Sequence, residues 1–302
     1  FGTDGDSRPI ENASASLLTF FRAAGEHELK VGLDWYQSSH SAANSQTPSD
    51  MLVYFGGFTV DPAAGGSTDI SNRIFVPNDP SQTYLDQWIP YVGATTKNTI
   101  LAAYVNDKWK VNANWSFNLG LRVDRFTSKD DLGASNFNLT TYSPRLGAIW
   151  DLHGNGSWVT QLTFGEYVGA VNQGATDGAS VVGNPAEYDY AYVAGDPRLR
   201  SSYAATPFFV YDPAKYRHSN LVDHALKMPT MQEVAVSLKH ADGADGLWSL
   251  GFNRRRWKHF ADDFRSLQPN PVDANDLIIV ETKNDPSLVR DYWGIEFQYQ
   301  KQ

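Results

Sequence analysis

From Trp115 to Asp124 the chain alternates without a break: Trp115, Phe117, Leu119, Leu121 and Val123 are apolar, while Ser116, Asn118, Gly120, Arg122 and Asp124 are polar or bare. A period of two places successive side chains on opposite faces, so this is a strand with one greasy and one wet side, not a helix. A second stretch of mostly alternating character, 98–111, precedes it across the short turn Asn112–Asn114, with Trp109 and Trp115 on either side of that turn. The design recurs. Leu29, Val31, Leu33 and Trp35 alternate with Lys30, Gly32, Asp34 and Tyr36; Val234, Val236 and Leu238 with Glu233, Ser237 and Lys239; Trp293, Ile295, Phe297 and Tyr299 with Gly294, Glu296, Gln298 and Gln300. Nine segments read as strands, at 13–22, 27–38, 98–111, 115–126, 143–152, 157–169, 229–240, 247–257 and 291–302.

Their connections follow a rhythm. Ala23–Glu26, Asn112–Asn114, His153–Gly156 and Ala241–Gly246 are short and rich in Gly, Asn, Asp or Ala, as tight turns require. Between them lie 39–97, 127–142, 170–228 and 258–290, so short and long connections alternate along the whole chain and the long ones gather at one end. None of the 15 prolines falls inside a segment except at a strand start (Pro144, Pro229), which suits a closed sheet that needs every N–H. The apolar run Leu277 to Val280 reads as an extra strand within the last long loop.

Strands of roughly 10–13 residues are longer than the ~5–6 usual in globular sheets and fit tilted membrane-spanning strands. Their polar faces carry large charged groups that suit a wet lumen. No apolar run approaches the ~18 residues of a spanning helix, and averaged hydropathy, here −0.42, is blind to an alternating lipid face. The net charge of −9 argues against nucleic acid as a partner. Cysteine is absent, as suits an oxidising compartment. Five of the nine tryptophans (Trp109, Trp115, Trp150, Trp158, Trp248) stand beside short turns, where a membrane interface buries the ring and wets the indole N–H. Short turns of outer-membrane barrels face the periplasm and long loops the outside. Asp107 breaks the pattern by sharing a face with Val105 and Trp109, which calls for a bulge or an early end to the membrane band.

Several motifs resemble the barrel of TonB-dependent outer-membrane receptors. They are Tyr104-Val-Asn-Asp107-Lys-Trp109, Trp115-Ser-Phe-Asn-Leu-Gly120-Leu-Arg122-Val-Asp124, Ser143-Pro-Arg145-Leu-Gly147, Phe164-Gly-Glu-Tyr167 and Tyr292-Trp-Gly294-Ile-Glu296. The loop spacing resembles the large-loop branch, sometimes carrying a carboxypeptidase-regulatory-like N-terminal domain. The resemblance implies an all-β antiparallel transmembrane barrel section in a Gram-negative outer membrane. It further implies a nutrient ligand (metal chelate, vitamin, peptide or oligosaccharide) captured by the loops, and a plug moved by TonB through an N-terminal segment. The plug, that segment and the closing strands are expected outside residues 1–302, which read as a middle section of the barrel. A passive porin is the alternative, and a soluble extracellular carbohydrate-binding or hydrolytic β-protein a further one.

Ligand capture is expected in loops 39–97 and 170–228, the second carrying Tyr188, Tyr190, Tyr192, Tyr203, Phe208, Phe209, Tyr211 and Tyr216, whose competing role is to pack the loops together. His218 and His224 lack metal-ligand spacing, and neither Asp130-Asp131 nor Asp262-Asp263 sits in a dense oxygen-ligand run, so no metal site is assigned. No nucleophile elbow, phosphate loop or His-Glu-x-x-His occurs; no catalytic residue and no cofactor are expected. Arg254-Arg-Arg-Trp-Lys-His259 is the sharpest local feature. Counting from Trp248 puts Arg254, Arg256 and Lys258 on the lipid side, ~20 Å or more above the short turn at ~3.3 Å per residue. Lipopolysaccharide phosphates sit at that height; the bland alternative is pairing with Asp262 and Asp263.

Overall fold

A computed structural model describes residues 7–42, 49–60, 75–89, 94–130, 135–170, 173–180, 185–212, 220–242, 246–269 and 276–301. Nine strands form the wall: β1 (Ile10–Arg22), β2 (Glu26–Ala42), β3 (Ala94–Lys110), β4 (Trp115–Asp130), β5 (Ser135–Asp151), β6 (Trp158–Val168), β7 (Thr230–Asp242), β8 (Gly246–Lys258) and β9 (Arg290–Lys301). They pair antiparallel in sequence order within one sheet. The nine expected strands are all present, and the run at 277–280 lies in a strand, Asp276–Asn284, paired with Ala261–Pro269 inside the last long loop.

Register carries the parity of each strand across the sheet. Leu33, Leu101 and Phe297 stand on the outer face at 59%, 54% and 68% exposure, as a lipid-facing surface requires. On the other face, Arg122 donates from Nε to Asp124 (2.8 Å) and from Nη1 to Asp34 on β2, reaching across β3, where Ala102 is almost fully buried. The charged face lies opposite the exposed apolar one, as the water-facing side of a barrel wall does. That side is the lumen, and Lys30, Asp34, Tyr104, Asn106, Arg122 and Arg145 line it. Gly32 lets the Tyr104 ring lie flat on the wall; a Cβ there would sit 2.4 Å from the ring.

Two expectations change and a third narrows. The connection 127–142 is not a long loop: β4 runs to Asp130 and β5 starts at Ser135, so a two-stranded ribbon continues outward from the wall, with a register shift at Ser128/Lys129. Beyond the wall, packed loops cover one face of the ribbon and bury Phe126, Ser128, Asp130 and Phe137 alike, so the apolar–polar alternation that marks a strand in sequence fades there. Pro144 lies inside β5, opposite Leu121, rather than at a strand start. It is tolerated because the ladder to β6 covers only 145–151 and stops at Arg145↔Gly165, one residue short of Pro144. At Asp107 the register runs unbroken from Leu29 to Leu119, so there is no bulge. Instead, His27 Nδ1 lies 2.8 Å from Asp107 Oδ2, pairing the carboxylate at the rim where the membrane band ends.

Rings in contact mark that rim. Phe21, His27, Trp109, Phe117, Trp115 and Trp150 follow one another at centroid separations of 4.6, 5.4, 5.7, 5.9 and 5.6 Å, and Trp158, His240 and Trp248 extend the belt beyond β5. Such pairs are worth ~0.5–1.5 kcal/mol each beyond area burial.

Candidate functional site

At the opposite end, the long connections fold on one another. Met51–Tyr54 and Tyr84–Ile89 come from loop 39–97; Ala186–Ala191 and Phe209–Tyr211 come from loop 170–228. These four segments make one sheet, in the order 209–211, 186–191, 84–89, 51–54. The seam between the loops is the pairing of Ala186–Ala191 with Tyr84–Ile89. Loop 170–228 also reaches the last loop, where Asn220–Val222 runs parallel to Asp276–Asn284.

The same loop is anchored inside the mouth by the short helix α1 (Gln173–Gly178). Asp177 takes His40 Nδ1 at 2.6 Å and accepts from Thr96 Oγ1, while Asn98 Nδ2 donates to Thr176 Oγ1 at 3.1 Å. His40, Thr96 and Asn98 are on the lumen faces of β2 and β3, so the helix is held against the inner wall. Around it, Phe126 and Phe137 pack with Ala179, Val222, Leu226 and Met228, flanked by Ile100, Leu139 and Val168. The apolar core thus sits at the outer mouth, where the wall's alternation gives way to loop packing.

Antiparallel pairing sorts the inter-loop sheet into two faces. One carries Leu52, Tyr54, Tyr84, Asp86, Trp88, Glu187, Asp189, Phe209 and Tyr211. Asp86 and Asp189 are direct cross-strand partners, and Glu187 precedes Asp189 by two residues, so three carboxylates meet with oxygens within 4.8 Å of one another. Asp86 is 2% exposed. Trp88 Nε1 donates to its Oδ2 at 2.6 Å, whereas Oδ1 of Asp86, Oδ1 of Asp189 and the Tyr211 hydroxyl are buried without a hydrogen-bond partner. No ion pair to any of the three carboxylates forms among the described residues.

The titration of the group follows. Burial, then the Asp86 and Asp189 charges, pushes Glu187 up to about 7; burial, then Asp86, pushes Asp189 up to about 6. Burial also raises Asp86, opposed by its Trp88 hydrogen bond. Tyr54 and Tyr84 face the trio and are raised by burial and then by the carboxylates.

The tyrosines singled out from sequence divide. Tyr188 and Tyr190 lie on the other face of the sheet, where Tyr190 donates to Gln87 Oε1 at 3.3 Å and the Arg200 guanidinium stands 3.9 Å from the Tyr190 ring centroid. Tyr192 and Tyr203 meet edge-on at 5.8 Å. Tyr203 donates to Pro197 O at 2.6 Å, and burial pushes its phenol up to about 12; these two brace their own loop. Tyr211 is opposite Glu187, on the carboxylate face. Tyr216, His218 and Asp131 lie outside the described residues; His224 is exposed. The carboxylate trio was not found by sequence reading, because Asp86 and Glu187 are a hundred residues apart and only the seam brings them together.

The basic triplet keeps the parity deduced for it. Arg254 is opposite Val234 and Trp293, Arg256 opposite Gln232 and Asp291, and Lys258 opposite Thr230, all on the outer face. Arg254 donates to Asp291 at 3.4 Å and Arg256 Nε lies 3.9 Å from the same carboxylate, while Lys258 donates to Gln232 at 3.3 Å. Asp263 instead accepts from Thr282 at 2.6 Å. The intervening Arg255 points into the lumen and pairs with Glu233.

A family model described as "Outer membrane beta barrel domain" matches residues 12–210. Among solved structures, the chain is similar to the outer membrane transporter YddB from Escherichia coli, at 13% identity and a TM-score of 0.52 over 97% of this chain and 31% of that one. It is also similar to the siderophore receptor PirA from Acinetobacter baumannii, at 14% identity and a TM-score of 0.50 over 96% of this chain and 34% of that one. The likeness is one of fold, and the chain spans about a third of each of these proteins. No curated protein matches it.

Proposed function

Because the chain belongs to the outer membrane β-barrel family and so to the bacterial outer membrane, we propose that it supplies wall and capture loops to an energised nutrient receptor. The observation that carries this is the ordered surface that the loops form over the wall. Loops 39–97 and 170–228 share one sheet, and α1 is tied to the inner wall by His40, Thr96 and Asn98. A receptor needs an ordered surface on which a scarce ligand can settle before passage, and the interlocked loops supply one. Its role is binding and transport rather than catalysis.

In this reading the ligand is a metal chelate, vitamin, peptide or oligosaccharide met first by the loop aromatics. A plug and a TonB-contacting segment, outside residues 1–302, couple release to the proton gradient. Arg254, Arg256 and Lys258 meet lipopolysaccharide phosphates at the outer interface, where a lipid-facing cation costs ~0–1 kcal/mol rather than the ~2–4 of the midplane.

The test is uptake of labelled ferric chelates, cobalamin, oligopeptides and oligosaccharides by cells with and without the gene. A receptor should lose one of these in the deletion strain and, in the intact strain, upon adding a protonophore. Uptake that survives the protonophore, together with steady ion conductance of the purified protein in planar bilayers, would instead establish the porin.

A further inference from the structure

We propose that Asp86, Glu187 and Asp189 form a calcium site that fastens loop 39–97 to loop 170–228. Three carboxylates converge with oxygens within 4.8 Å of one another, and no ion pair offsets them among the described residues. Like charges so close do not gather without a counterion or a shared proton. A shared proton would donate from one carboxyl to another, yet the geometry leaves acceptors over. Asp86 is 98% buried, Trp88 fixes one of its oxygens, and the other, Oδ1, is buried with no hydrogen-bond partner. Oδ1 of Asp189 and the hydroxyl of Tyr211, across the strand from Glu187, are likewise buried and unpartnered.

The donors name the ion. All are oxygens, with no imidazole or thiolate in the group, which selects a hard cation. Calcium, with bonds of ~2.3–2.6 Å and a flexible coordination shell, suits three carboxylates whose oxygens gather within 4.8 Å of one another. Magnesium, with bonds of ~2.0–2.1 Å and a demand for a near-ideal octahedron, suits three donors fixed by sheet register less well. The Trp88 hydrogen bond orients Asp86 as an outer-shell partner orients a metal ligand. Asp86 comes from one loop and Glu187 and Asp189 from the other, so the ion would bridge the seam itself. The site does not depend on which nutrient is carried, or on transport at all.

The experiment is calorimetric titration of calcium chloride into the detergent-purified protein after chelator stripping, at a pH above 7. One saturable site is expected, abolished in Asp86→Asn/Asp189→Asn and weakened in Glu187→Gln. Asp262→Asn/Asp263→Asn, in a different loop hairpin, should bind as the unsubstituted protein does. Since the double variant could misfold, a second measurement uses the unsubstituted protein. Terbium should show emission sensitised by Trp88 that calcium reverses, and protease cleavage within 39–97 and 170–228 should slow when calcium is added. Absence of a saturable site, its persistence in Asp86→Asn/Asp189→Asn, or tighter binding of magnesium than of calcium would overturn the assignment.

Discussion

At the scale of single residues, parity decides nearly everything in the wall. Arg255 and its neighbours Arg254 and Arg256 differ by one position, yet one faces the lumen against Glu233 and the other two face outward against Asp291. That split was readable by counting from Trp248, since a period of two admits no other outcome in an unbroken strand. The partner was not: Asp291 belongs to β9, and only the pairing of β8 with β9 makes it, rather than Asp262 or Asp263, the neighbour of the triplet. One carboxylate shared by two arginines leaves guanidinium donors over for a phosphate. Replacing Arg254, Arg256 and Lys258 together by glutamine should lower the lipopolysaccharide that co-purifies, measured by phosphate or lipid A content. Unchanged content would show that the triplet is only a solvated face. Asp107 teaches the converse, for a residue that looked misplaced turned out to be paired with His27 at the rim.

At the scale of elements, strands were recognisable where their two faces meet different solvents and obscure where packed loops bury polar and apolar residues side by side. That is why β5 begins at Ser135, eight residues before the expected 143, and why the four-stranded loop sheet left no sequence pattern. The loop sheet makes a distinctive prediction. Glu187 and Asp189 are raised to about 7 and about 6, so the folded sheet holds protons that the unfolded chain releases at lower pH. Groups raised in this way add stability that is fully present below their unfolded values and is lost as pH climbs through the folded ones. With chelator present, therefore, protease cleavage within 39–97 and 170–228 should accelerate between about pH 5 and about pH 8. Cleavage that is flat or slower at the higher pH would mean that the carboxylates are not held together in solution. Tyr54 and Tyr84 on that face stay protonated throughout the range, being raised further above their ordinary value.

At the scale of the molecule, the wall is a continuous antiparallel sheet and its loops form a second structure on top of it, joined through α1 and the buried cluster at the mouth. The absence of cysteine makes the interlock directly testable. Gln87 and Tyr188 are cross-strand partners on the face away from the carboxylates, one in each loop. Gln87→Cys/Tyr188→Cys should therefore be joined by a short thiol cross-linker, seen as a mobility change on denaturing gels, while either single variant should not. Failure of the pair to link would dissolve the shared sheet. By itself the sequence determined the nine strands, their inward and outward faces, the tryptophan rim and the end at which the long loops gather. All of these are local, because a two-residue period and a tight turn need only neighbouring residues to be stated. What the long loops do with one another was decided only by tertiary structure. Pairing between Tyr84–Ile89 and Ala186–Ala191 joins segments about a hundred residues apart, and it is this register that turns three unremarkable acids into one buried cluster.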